Sequence, residues 1–311
     1  MQQSLTGLTA EAVRDPQVAF LTDDGRDVLR FAREALAAGM EAALVTLVEI
    51  TGGAARPLGA QMAVREDGHY CGFVSGGCVE SAVAFEALEV IRSGQDRTVR
   101  YGAGSPWFDI VLPCGGGITL RIHKLRSAQP LLAVLKALEQ RQSASLRYNS
   151  ATQTLHMQPG YARARWRDDE FVQGFRPCVR VMIFGRSVEA QSTALLAEAA
   201  GYDVQLCADA SLPQMPDADT AVILLWHDLD RELPVLQAAL AAKPFYIGAL
   251  GSCRTHRKRV AKLVEQGWRE ADIARIKAPV GIFPQARDAR SLALSVLADV
   301  AAARLQGEES G

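Results

Sequence analysis

Two glycine-rich segments, each carrying a cysteine, are where this 311-residue sequence is best equipped for chemistry: Ser75-Gly76-Gly77-Cys78-Val79-Glu80 and Pro113-Cys114-Gly115-Gly116-Gly117. Neighbouring glycines permit positive φ or a close backbone approach to a ligand. The first segment lies between an expected strand and an expected helix, so its amides are expected to face outward as anion donors. Cys78 then stands at the positive helix end, where a thiolate is favoured as nucleophile or ligand. An oxyanion or a soft metal suits such a loop. The second segment repeats the idea, and three consecutive glycines carry more conformational entropy into folding than a plain turn needs. Taken singly, each loop also reads as a tight turn around a small buried cysteine. Two of them in one region favour a binding site without saying what is bound.

A third segment, Gly185-Arg186-Ser187-Val188-Glu189-Ala190, follows an expected strand and opens an expected helix, as a dinucleotide fingerprint does. Its middle glycine, the one that lets a pyrophosphate approach the backbone, is replaced by Ser187. That change disfavours NAD(P), while Arg186, Ser187 and the helix start still suit another phosphate-bearing ligand. Trp226-His227-Asp228 ends a later strand, at the strand-end crevice where such sheets bind ligands. His227 beside Asp228 suits acid/base work or ligation, although an ordinary surface histidine is the plainer reading. Gly248-Ala249-Leu250-Gly251-Ser252 leads into Arg254-Thr255-His256-Arg257-Lys258-Arg259. Cations at the positive end of a helix oppose its dipole, so an anion is expected nearby, either a ligand or a carboxylate.

The elements that position these loops follow from periodicity. Val28, Leu29, Phe31, Ala32, Ala35 and Leu36 recur at helical spacing ahead of Gly39, and Ala42–Ile50 is a short apolar run of strand length. Asp67-Gly68 marks a hairpin between Gly59–Arg65 and Tyr70–Val74. Helical spacing returns in Glu80–Ser93, with Gly94 as a stop. Phe108–Leu112 and Ile118–Leu125 read as strands flanking the Cys114 loop. After a helix over Pro130–Gln140, the stretch Ala144–Val172 reads as antiparallel strands. From Cys178 onward strands and helices alternate at short intervals, which calls for a parallel sheet with helices on both faces. The fold expected is therefore α/β: an N-terminal mixed α+β domain over residues 1–175, then a Rossmann-like, doubly wound parallel-sheet domain over 176–311.

A formal net charge of −1 sets up no global field toward nucleic acid or an anionic membrane. No apolar run reaches the roughly 18 residues of a membrane span, and the first 16 residues lack the pattern of a secretory signal, so the expected compartment is the cytoplasm. The six cysteines form no CxxC pair and no zinc-finger spacing, and reduced thiols are expected.

The ordered set Arg56-Pro57-Leu58-Gly59-Ala60-Gln61-Met62, the two cysteine loops, Tyr246 to Ser252 with Arg254-Thr255-His256, and Ala278-Pro279-Val280-Gly281 resembles the XdhC/CoxI family of xanthine dehydrogenase accessory proteins. The resemblance spans both halves. It implies a homodimeric, non-catalytic accessory protein that binds molybdenum cofactor, as molybdopterin or its dinucleotide form. On this resemblance the cofactor is expected to be protected during sulfuration, in concert with a cysteine desulfurase or sulfurase, and delivered to an apo-molybdenum hydroxylase. It also implies cofactor-binding positions at Arg56, Ser75–Cys78, Cys114–Gly117, Gly248, Gly251, Arg254 and His256, with Cys78 and Cys114 as thiols near the metal; the fingerprint and strand-end positions add Gly185, Ser187, His227 and Asp228 as candidates. The sequence departs from the family pattern at Ser187 and at Ala208, where an acidic residue is usual and Asp209 is displaced by one. Two other readings stay open at this point: a nicotinamide-dependent oxidoreductase using His227, and a scaffold docking a sulfurase to its client.

Overall fold

Alternation along Ala42–Thr51 decides the layering of the first half. Ala43, Val45 and Leu47 fall into one apolar cluster and Ala42 and Leu44 into another, so this strand is covered on both faces. The computed structural model describes residues 15–105, 112, 115–226, 228–283 and 285–310, and these divide into two compact units at the Pro177–Cys178 junction.

The first unit runs β1 (Gln17–Phe20), α1 (Gly25–Ala37), β2 (Ala42–Thr51), β3 (Gln61–Arg65), β4 (His69–Gly72), α2 (Glu80–Ser93), β5 (Arg97–Gly102), β6 (Gly117–Lys124), α3 (Gln129–Glu139), β7 (Ala144–Asn149), β8 (Thr154–Pro159), β9 (Arg165–Arg167) and β10 (Glu170–Phe175). Strands β1 to β6 form one sheet in the order β1-β4-β3-β2-β6-β5, antiparallel except where β1 joins β4. One face carries α2, whose Val83, Ala84, Ala87, Leu88 and Ile91 are buried among Val45, Leu47 and Leu120. Each of the larger of these side chains contributes about 1.5–3 kcal/mol by leaving water. The other face carries α1 and α3. A second, antiparallel sheet in the order β8-β7-β10-β9 also lies there, with Leu146, Tyr148 and Phe171 walling a small cavity opposite Leu44, Thr46 and Val48. The expected hairpin at Asp67-Gly68 joins β3 to β4, with Gly68 at φ 88°. The strand expected over Phe108–Leu112 lies outside the described residues apart from Leu112, which is buried in the α2 cluster.

The second unit is β11 (Arg180–Phe184), α4 (Val188–Ala199), β12 (Asp203–Cys207), β13 (Thr220–Leu224), α5 (Leu229–Ala242), β14 (Tyr246–Ala249), α6 (Cys253–Glu265), α7 (Glu270–Ile273), β15 (Ile276–Lys277) and α8 (Ala289–Ser310). Its five strands are all parallel in the order β12-β11-β13-β14-β15. The order reverses direction between β11 and β13, so the C-terminal ends of those two strands form the switch-point crevice of a doubly wound sheet. The sequence reading stopped short of β15 and α8. Ala293, Val296, Leu297 and Val300 are buried at the i, i+3, i+4, i+7 spacing that marks α8 as a packed helix.

Candidate functional site

The Cys78 loop is organised around a carboxylate from its own chain. Glu80, the first residue of α2, is 2% exposed. Its Oε1 accepts from the amides of Val74 (3.0 Å), Ser75 (2.8 Å) and Gly76 (3.2 Å). Its Oε2 accepts from the amides of Gly77 (2.9 Å) and Val79 (3.2 Å) and from the Ser75 hydroxyl (2.8 Å). The same hydroxyl accepts from the amides of Cys78 at 3.1 Å and Val79 at 3.2 Å. Every amide from Val74 to Val79 thus has an acceptor inside the loop. Burial opposes ionisation of Glu80 most strongly, but the amide and hydroxyl of Ser75 and the amide of Val74 outweigh it and hold the carboxyl below its ordinary value.

This corrects the expectation that Ser75, Gly76 and Gly77 offer their amides to an external anion. The anion is built in. What the loop presents outward is Cys78, which is exposed. Glycine is needed here for conformation: Gly76 has φ 91° and Gly77 φ 107°. Glu80 was missed as a functional residue, although a carboxylate one residue beyond a glycine-rich strand–helix junction is a signal that the amides have an acceptor at hand.

The two cysteine loops reach the same rim of the six-stranded sheet through the segment that follows β2. A Cβ on Gly76 would lie 3.3 Å from Ala55, and one on Gly116 would lie 1.9 Å from the Gly53 carbonyl oxygen. The Gly115–Gly117 loop is therefore glycine-rich because three backbones converge there: a Cβ on Gly117 would also meet Ala103 O at 2.3 Å. Cys114 itself lies outside the described residues. Arg56 stands next to Ala55 on this rim. It holds the exposed Asp23 carboxylate at 3.1 Å, while its Nε is buried without a hydrogen-bond partner. Among the described residues no group of three metal-ligating side chains occurs.

In the second unit, Gly185, Ser187, Asp228, Gly251, Arg254 and His256 follow the C-terminal ends of β11, β13 and β14 or open the next helix, while His227 lies outside the described residues. Their roles differ. Ser187 is the N-cap residue of α4 but makes no capping hydrogen bond, and its hydroxyl is buried without a partner. Asp228 caps α5 by accepting from the Asp230 amide. Gly248 lies within β14, where a Cβ would press on Val280 at 2.6 Å and Tyr246 at 2.7 Å, so close packing accounts for a glycine there. Gly251 turns the chain at φ 127° into α6, which Ser252 caps. Arg254 is exposed on the first turn of that helix.

The anion expected beside this basic helix is Glu232. Arg259, fully buried, donates Nε and Nη2 to Glu232 at 2.9 and 2.7 Å and Nη2 to the Leu250 carbonyl at 2.9 Å. His256 leaves its Nδ1 buried without a partner. Burial, then the charge of Arg259, lowers its pKa, so the imidazole is neutral at pH 7.

An α+β unit displaying a cysteine on a carboxylate-braced loop, joined to a parallel-sheet unit with an altered dinucleotide turn, is an α/β architecture of two compact units. The chain belongs to the XdhC and CoxI family: residues 35–102 match that family and residues 181–300 match the XdhC Rossmann domain. It is 67% identical over 296 residues, 94% of this chain and 93% of its relative, to the molybdenum cofactor insertion chaperone PaoD of Escherichia coli strain K12. It is 28% identical over 251 residues, 78% of this chain, to the uncharacterized protein YqeB of the same strain, of whose length it spans 40%. A crystal structure described as a xanthine dehydrogenase from Bacillus halodurans has the same fold, with a TM-score of 0.68 at 19% identity over 89% of this chain and 96% of that one.

Proposed function

We propose that this chain is a molybdenum cofactor insertion chaperone, not a catalyst: it binds the cofactor at the rim carrying Cys78, shelters it during sulfuration and hands it to an apo-molybdenum hydroxylase of the xanthine or aldehyde dehydrogenase type. The observation that carries this reading is the Cys78 loop. Its amides are all satisfied internally, so the exposed thiol is the group it offers, and a thiolate is a natural ligand for a soft metal centre. The identity with a chaperone of that name across nearly the whole chain supports it. Cys114, one residue before the glycines that meet Gly53, is the second thiol of the proposal. A sulfurase and the recipient enzyme are the proposed partners, a homodimer the working state and the cytoplasm the compartment. Among the described residues no helix is long and apolar enough to cross a membrane.

Anaerobic isolation followed by molybdenum and pterin analysis tests this. The parent chain is expected to carry both, and the Cys78→Ala/Cys114→Ala chain to lose them. Equal retention by the double variant overturns the thiol assignment.

The Rossmann unit is proposed to favour a phosphate-bearing ligand other than NAD(P), which bears on the dinucleotide form of the cofactor. The support is the uncapped start of α4 with the unpartnered Ser187 hydroxyl, placed where an intact fingerprint has glycine. Saturable NAD(H) binding in calorimetry would restore the oxidoreductase reading.

A further inference from the structure

Arg56 stands where two clefts meet. One, about 380 Å³, is lined by Leu21, Thr22, Asp23, Arg56, Phe73 and Gly76, and so borders the Cys78 loop. The other, about 250 Å³, is walled by Asp23 to Arg26, by Arg56 to Gln61 and by Gln173 to Arg176. Asp23 and Arg56 belong to both, so the second cleft leads away from the thiol past a guanidinium.

The second cleft contains three arginines, Arg26, Arg56 and Arg176, against two aspartates, Asp23 and Asp24, a formal excess of one positive charge. Their engagement is uneven. Arg26 is closed onto Asp24, the N-cap of α1, and Arg176 lies 4.0 Å from the centre of the Tyr161 ring. Arg56 is only 22% exposed, yet the carboxylate it holds, that of Asp23, is 72% exposed. An ion pair of that kind contributes little and yields readily to a doubly charged competitor. Both Nη atoms of Arg56 reach Asp23, Nη1 its carboxylate at 3.1 Å and Nη2 its carbonyl oxygen at 3.4 Å, while the buried Nε has no acceptor.

A second observation is independent of the arginines. Gln61, 7% exposed, reaches Thr46 Oγ1 at 3.3 Å through Nε2 and leaves Oε1 buried and unpartnered. Turning the amide over would exchange which of its two polar atoms is orphaned and would not satisfy both. Gln173, across the same cleft, also leaves Oε1 unpartnered. Buried polar atoms without partners cost free energy; both of these are acceptors, so what they lack is a donor group beside an anion and not the anion itself, and both glutamines also line the small cavity under the second sheet. The N-terminus of α1 opens at Asp24 and Gly25 into the same space.

We propose that this cleft holds the phosphate group of the ligand whose metal end lies at Cys78, with Arg56 as the forked anchor, Arg26 and Arg176 as flanking cations and Gln61 as a wall that hydrogen-bonds the part of the ligand next to the phosphate. This rests on the cofactor reading above for the ligand's identity, but not for the anion site itself. The phosphate is either the terminal monoester of the mononucleotide-free cofactor or the diphosphate of its dinucleotide form. Both present dianionic oxygens to a guanidinium fork.

The test is calorimetric titration of the full chain with inorganic pyrophosphate, with phenyl phosphate as a monoester, and with sulfate. Saturable binding of at least one phosphate probe, tighter than sulfate, is expected. Arg56→Ala should weaken it at least tenfold, a combined Arg26→Ala/Arg176→Ala variant by a similar factor, and Arg56→Lys by less because charge survives without the fork. Thermal unfolding checks each variant, and Arg56→Lys carries the test if Arg56→Ala does not fold. Phosphate binding no tighter than sulfate, or unchanged in the Arg56 variants, overturns the proposal.

Molybdenum and pterin analysis of the same preparations separates this from failure of the cofactor reading. A parent chain that carries pterin but binds probes independently of Arg56 sinks the cleft alone. A chain with Arg56-dependent phosphate binding that never carries pterin keeps the cleft and sinks the cofactor.

Discussion

Two of the strand–glycine–helix junctions among the described residues solve the same electrostatic problem in opposite ways. At Val74–Glu80 the amides converge on the chain's own carboxylate, and the thiol is left facing outward. At Phe184–Val188 no side chain caps the helix and the Ser187 hydroxyl has no partner. The same local sequence grammar thus produces a closed pedestal in one unit and an open helix start in the other. Each helix carries an acid in its first turn, Glu80 in α2 and Glu189 in α4, and what separates the junctions is that the Glu80 carboxylate folds back onto the loop amides.

The largest effect that would break this contrast is removal of that carboxylate. Glu80→Ala strands the amides of Val74, Ser75, Gly76 and Gly77 and the Ser75 hydroxyl in a buried loop, and is expected to destabilise the first unit by about 3 kcal/mol or more. Ser187→Ala removes a group that bonds to nothing and should stay within about 0.5 kcal/mol. Denaturant unfolding of both variants measures the difference, and similar small losses would show that the two junctions are alike after all.

The glycines sharpen the contrast next. Gly185 has no positive φ, and a Cβ there would meet Ala190 Cβ at 2.8 Å and the Leu225 carbonyl at 3.3 Å, so it serves helix–strand packing. Gly185→Ala should cost about 2 kcal/mol through crowding. A Cβ on Gly77 would meet open space, and Gly77→Ala should cost about 1 kcal/mol through backbone strain at φ 107°. Equal losses that both vanish in a helix-loosening context, or a reversed order in chemical unfolding, would contradict these two roles.

The dependence on pH follows from the direction of the Glu80 shift. Its carboxyl is held below its ordinary value of 4.5 in the folded chain, so the stability it confers is present in full above about that pH and is lost as the pH falls through the lowered folded value. Glu80→Gln keeps the shape without the charge and should cost about 1–2 kcal/mol at pH 7. The difference between parent and variant should shrink as the pH drops below 4. A gap that stays constant from pH 7 to pH 3 in urea unfolding would mean that the carboxylate is not what holds the loop.

The sequence made the α/β architecture readable because its signals are local. Val83, Ala84, Ala87, Leu88 and Ile91 announce α2, and the alternation of strands with helices after Cys178 announces the parallel sheet. The convergence of the two cysteine loops was legible only as a recurrence of motif. The contacts that enforce it, Gly76 against Ala55 and Gly116 against Gly53, join residues far apart in the chain. The Glu80 cage was misread for a different reason. Spacing shows where helix amides begin, but whether a carboxylate folds back onto them or points to solvent depends on a rotamer and on burial, and neither has a period. Arg26, Arg176 and Gln173 were overlooked because each is unremarkable in its own segment, and Gln61 stood in the Arg56–Met62 segment without a role; they meet only when β3, β10 and the start of α1 come together.

The smallest expected effect tests the open junction directly. In an intact fingerprint the middle glycine leaves room for a pyrophosphate against the backbone, whereas here a hydroxymethyl group occupies that position with φ −79° and ψ 170°, a conformation any residue adopts. The backbone is therefore not strained by Ser187, and what the serine changes is the space above the helix start. Ser187→Gly should leave stability within about 0.5 kcal/mol while opening that space. If steric exclusion is what keeps nicotinamide dinucleotides out, the variant gains measurable NAD(H) binding in calorimetry where the parent shows none. If the parent already binds NAD(H), the junction is not altered in function. If neither chain binds it, the displaced Asp209, exposed and bonded to its neighbour Ser211, is the stronger barrier, because the ribose then lacks its acidic partner even with the pyrophosphate accommodated.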